Sequence, residues 1–139
     1  MNKALFATLA LGAAVAFAAP ANAEKLKATL DGKSEVPATT SSGTGKADID
    51  YDAATKKLSW KVTYSGLTGP ATAAHFHGPA EAGKNAGVMV PIPGIANSPV
   101  EGSATLTDAQ ASDLLAGKLY VNIHTAANPG GEIRGQVTK

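Results

Sequence analysis

From residue 24 onward the chain alternates apolar and polar positions with a period of two, the pattern of strands that bury one face and wet the other. Leu26, Ala28 and Leu30 alternate with Lys25, Lys27 and Thr29, and Ala47, Ile49 and Tyr51 alternate with Asp48 and Asp50. The clearest strand is Lys57 to Ser65, where Leu58, Trp60, Val62 and Tyr64 share a face, and Trp60 is the expected centre of the core. A strand from Ala71 to Gly78 puts Ala74 and Phe76 on one side and Ala73, His75 and His77 on the other. Asp52 to Thr55 reads as a turn, Ala38 to Gly45 as a Ser/Thr/Gly-rich loop, and Gly66 to Pro70 as a break. Pro79 to Pro99 is rich in Pro and Gly around one apolar island, Val88 to Ile92, and predicts a long covering loop around a short strand.

Val100 to Leu106 predicts another strand, and Thr107-Asp108-Ala109-Gln110 then has the form of a capping box. Gly117 supplies a left-handed stop after Leu114 and Leu115, so one short helix is expected there. Leu119 to Thr125 and Glu132 to Val137, joined by the turn-rich segment 126–131, predict a hairpin. Opposed residues point to the same side of a sheet, so face matching sets the register. Leu119, Val121 and Ile123 face Val137, Gly135 and Ile133, while Tyr120, Asn122 and His124 face Gln136, Arg134 and Glu132. About seven short strands with frequent turns predict an all-β domain, an antiparallel β-sandwich or small Greek-key barrel with one short helix.

The N-terminus departs from this pattern. Lys3 precedes an apolar run from Ala4 to Pro20 that ends in Ala21-Asn22-Ala23, the form of a secretory signal cleaved after Ala23. Residues 1–23 are therefore expected to be a signal peptide and 24–139 a single β domain, periplasmic or secreted and free of the membrane once cleaved. Lys3 is the one charged residue of the signal, so the remainder carries 11 basic and 11 acidic residues. That balance argues against nucleic acid as a partner. The chain has no cysteine. An exported protein of this kind must be held by packing, or by a metal, without disulfides.

Attention then falls on the three histidines. His75 and His77 project from the same side of one strand, roughly 6 to 7 Å apart at the backbone. His124 lies on the polar face of another strand, opposite Glu132, and a carboxylate beside an imidazole is a common device for fixing the ring of a metal ligand. If the strands are neighbours, His75, His77 and His124 converge on one ion, with Glu132, Asn122 and Arg134 as the supporting polar residues. An imidazole set suits copper or zinc better than calcium or magnesium. The alternative is an ordinary polar network in which Glu132 and Arg134 pair on an exposed face. No nucleophile motif, carboxylate dyad or phosphate-cradling loop is present, so a binding module is favoured over an enzyme.

Leu30-Asp31-Gly32 with Glu35-Val36-Pro37, the run Ala73 to Ala80, and Leu119 to Thr125 continuing into Pro129 to Gly135 together resemble the CHRD domain, named after chordin. The likeness spans nearly all of residues 24–139, departing at Ala38, where a second proline often follows. It implies an extracellular β-rich domain, found alone in bacterial exported proteins and as repeats in chordin. Two functions are therefore expected as alternatives: a copper- or zinc-binding module built on the histidines, or a metal-independent module that binds or adheres to an extracellular protein.

Overall fold

The computed structural model describes residues 23–139. The expected signal segment lies outside the described residues. Eight strands form one antiparallel sheet: β1 (Ala23–Asp31), β2 (Thr44–Asp52), β3 (Lys57–Ser65), β4 (Ala71–His77), β5 (Val88–Pro91), β6 (Val100–Thr105), β7 (Tyr120–Thr125) and β8 (Ile133–Gln136). Their spatial order is β5-β4-β7-β8-β1-β2-β3-β6.

The alternation explains the first half of that order. In the β1–β2–β3 meander the apolar positions fall into cross-strand rows: Leu26, Ile49 and Trp60 are opposed in turn, as are Ala28, Ala47 and Val62. The outer face carries the complementary row Lys27, Asp48 and Lys61, so unlike charges stand opposite one another. β6 extends this half beyond β3. The sheet then rolls over on itself until it is nearly a closed barrel. Trp60 on β3 and Phe76 on β4 are five strands apart in the sheet order, yet their ring centroids lie 5.3 Å apart across the interior. Around them are buried Leu58, Val62, Val90, Ile92, Ile123 and Ile133.

The helix α1 (Asp108–Leu115) links β6 to β7 and sinks Ala111 and Leu114 into the core. Its capping box is present: Thr107 accepts from the backbone of Gln110 at 3.2 Å, and the Gln110 side chain accepts from the backbone of Thr107 at 3.0 Å. Gly117 takes the left-handed conformation that ends it, with φ of 75°. Among the described residues no helix is long and apolar enough to cross a membrane.

The closing hairpin adopts the register that face matching gives. Tyr120 opposes Gln136, Val121 opposes Gly135, and Asn122 opposes Arg134. β7 is also the neighbour of β4, pairing Ala73 with His124, His75 with Asn122, and His77 with Tyr120. That adjacency brings the two histidine-bearing segments side by side.

Candidate metal centre

β7 lies between β4 and β8 and is buried on both faces except at His124, which is half-buried. Its inner face, Val121 and Ile123, belongs to the apolar core. Its outer face, expected to be wet, is roofed by loops. Tyr120, Asn122 and Arg134 are buried as a result, and Thr125 and Glu132 are buried beside them. Buried polar groups of this kind persist only when their hydrogen bonds are met, and here the roof meets most of them. Ala86 caps Tyr120, its N–H donating to the phenol oxygen at 3.0 Å and its carbonyl accepting from the hydroxyl at 3.1 Å. Residues 78–87 supply the hydrogen bonds of the expected cover, and Pro91 to Ala96 line a shallow pocket beside His75. Ile95 and Ser98 bond Tyr64 on β3.

Under this roof the structure brings His75, His77 and His124 together. One ring nitrogen from each lies within 4.8 Å of the other two. His75 Nδ1 and His124 Nε2 are 3.2 Å apart, and the His75 and His77 ring centroids 5.4 Å. Two of the rings are oriented by backbone carbonyls. His124 Nδ1 meets the Pro129 carbonyl at 2.8 Å, and His77 Nδ1 meets the Ala86 carbonyl at 3.0 Å. A carbonyl can only accept, so each Nδ1 must carry the proton, and a neutral ring then holds its free lone pair at Nε2. His77 Nε2 is buried and has no hydrogen-bond partner. Burial lowers the pKa of both His75 and His77. The other histidines lower His75 further, while the bond to Ala86 partly opposes the shift at His77. Neutral imidazoles with aimed lone pairs are what a metal ion requires of histidine.

The supporting residues expected from the sequence take different places. Glu132 does not hold His124; that role falls to the Pro129 carbonyl. Its carboxylate turns instead into a cage of neutral donors. Ser41 donates at 2.9 Å, the Thr68 backbone N–H at 3.0 Å, Thr125 at 2.7 Å and Asn128 at 3.1 Å, and the Thr68 hydroxyl donates as well. Desolvation alone would raise the Glu132 pKa, but these donors outweigh it and hold it at about 2. The carboxylate thereby pins the loops around Ser41, Thr68 and Asn128 to the sheet.

Arg134, the one arginine in the chain, does not pair with Glu132 either. Its guanidinium lies 3.4 Å from the centroid of the Tyr120 ring and donates to Asn85 at 2.9 Å and to the Lys84 carbonyl. Tyr120 also stacks with His77, the rings 4.8 Å apart and parallel within 1°. Arg134 is in contact with Tyr120 rather than with the histidines, although its charge also lowers the His77 pKa, whereas Asn122 is the direct cross-strand partner of His75.

Two residues were not singled out for the site by sequence. Tyr120 stands at a polar-face position of β7, and an aromatic ring there is the signal that this face is covered. Glu35 is 5% exposed, and burial raises its pKa against the opposing influence of the Val36 N–H, Arg134, Asn122 and His124. Gly131 makes room for it. At φ of 126°, a Cβ at Gly131 would fall 2.3 Å from Glu35 Oε2 and 2.7 Å from Asn122 Nδ2. Only glycine lets this loop close over the pair.

No curated protein and no solved structure matches the chain. The family model for the CHRD domain does, over residues 26–137. That match runs from β1 through β8 and includes all three histidines, Glu35 and Gly131, so the chain belongs to the CHRD domain family.

Proposed function

We propose that this CHRD domain is an exported transition-metal binding module in which His75, His77 and His124 coordinate one copper or zinc ion. The observation that carries the reading is the convergence of three imidazole nitrogens within 4.8 Å, where the Nε2 lone pair of His77 is unpartnered and that of His124 is met only by His75 Nδ1. Ligands at the usual 2.0 to 2.1 Å from a tetrahedral ion stand about 3.3 Å apart, close to the 3.2 Å between His75 Nδ1 and His124 Nε2. All-nitrogen donors favour copper or zinc over calcium or magnesium. Export rests on Lys3, the apolar run behind it and the Ala21-Asn22-Ala23 exit.

When bound, the ion supplies a cross-link between β4 and β7 and a centre of positive charge on the roofed face. The protein holds the rings, fixes their protons at Nδ1 of His77 and His124, and limits solvent access through the loop at Ala86. The test is to purify the protein, measure its metal content, and follow thermal unfolding with and without zinc or copper. A ligand that binds the folded state alone stabilises it by about 2.7 kcal/mol at a hundredfold excess over Kd. A midpoint that climbs with free metal is expected. Identical melting curves with either metal, together with protein that purifies metal-free, would leave the domain as a metal-independent binding module.

A further inference from the structure

Asn122 occupies the middle of the histidine cluster. It is opposite His75 in the register, two residues before His124 on the same face of β7, and a neighbour of the His77 side chain. It is buried, yet its Oδ1 has no hydrogen-bond partner. The orientation of the amide follows from its other side. Asn122 Nδ2 and the carboxyl oxygen Oε2 of Glu35 both crowd the point above Gly131 without a hydrogen bond between them, and the Asn122 amide lowers the Glu35 pKa, as its NH2 end does when it faces a carboxyl. The oxygen end is thereby left on the side of the histidines.

A second orphaned atom lies on that same side, His77 Nε2. With Nδ1–H committed to the Ala86 carbonyl, neutral His77 has a bare lone pair at Nε2. Two buried acceptors side by side and no donor for either is an arrangement that folding alone disfavours. A cation between them satisfies both. We infer that the Asn122 side-chain oxygen is the fourth ligand of the ion held by His75, His77 and His124. The inference rests on the three-histidine reading above and extends it from an open site to a closed set of three nitrogens and one oxygen. Closed four-ligand sets belong to structural or storage sites rather than to catalytic ones. A hard amide oxygen also favours a divalent ion, zinc or copper(II), over copper(I).

The test uses zinc as the probe, titrated in competition with a chromophoric chelator, on the wild type and on His75→Ala, Asn122→Ala and Asn122→Asp. Asn122→Ala is expected to lose at least about tenfold in zinc affinity. Asn122→Asp, which keeps an oxygen at the same reach, restores wild-type affinity or exceeds it. In the wild type, one equivalent of zinc shifts the side-chain NH2 signal of Asn122 in a proton–nitrogen correlation spectrum further than those of Asn85 and Asn97. If His75→Ala abolishes binding while Asn122→Ala binds like the wild type, the fourth ligand is wrong and the three histidines stand. If the wild type takes up no zinc, or no more tightly than His75→Ala, both readings fall. Should Asn122→Ala not fold, the wild-type spectrum decides, and an unmoved Asn122 signal overturns the inference.

Discussion

A neutral carbonyl and a carboxylate can both hold an imidazole by its Nδ1–H, but they differ in charge. The carbonyls of Pro129 and Ala86 orient His124 and His77 without adding negative charge to the cluster. Substitution tests this at the level of single residues: His124→Ala should weaken zinc or copper binding at least about tenfold, while Lys61→Ala, on the opposite wet face, should leave it unchanged. Equal affinities, measured by calorimetric titration, would remove His124 from the ligand set. Alternation in the sequence placed all three histidines correctly on the polar faces of their strands. It misjudged the partner of His124 because the donors that draw Glu132 away come from Ser41 and Thr68, 91 and 64 residues distant along the chain. No local pattern carries that information.

At the scale of elements, the closing hairpin was legible because both strands alternate cleanly and a one-residue slip would put Ile133 and Val137 among the polar side chains. Its docking against β1 was not. A Cβ at Gly135 would lie 2.1 Å from the Thr29 carbonyl oxygen, so β8 can approach β1 only with glycine at that position. Gly135→Ala should therefore cost about 1 to 3 kcal/mol in urea unfolding. Gly69→Ala is the control, since nothing lies within 4 Å of the added carbon there, and it should be close to neutral. Equal losses in the two variants would contradict the close approach. The capping box of α1 needed no such long-range knowledge, because both of its hydrogen bonds are made within four residues.

Viewed as a whole, the molecule has one sheet with two interiors, an apolar one inside the roll and a polar one under the loops. The all-β class followed from period-two patterning and a covering loop from the Pro/Gly-rich run after Gly78, but the anchoring of that cover did not, since it lies in hydrogen bonds between loops far apart in sequence. Glu132 is central to that roof and gives it a pH signature. Its folded pKa of about 2 lies below the ordinary carboxylate value of 4.5, so its stabilisation is complete above 4.5 and disappears as pH falls toward 2. The loss is on the order of 3 kcal/mol. Glu35, raised by burial, works in the opposite direction, so the comparison should be with Glu132→Gln, in which Glu35 is unchanged. Urea unfolding from pH 6 to 2.5 should show a steeper decline for the wild type than for the variant; parallel curves would deny Glu132 this role. The burial of β7 on both sides has a further consequence. Side chains rising from it have already surrendered their rotational freedom when the chain folds, so an incoming group meets atoms with little conformational entropy left to lose.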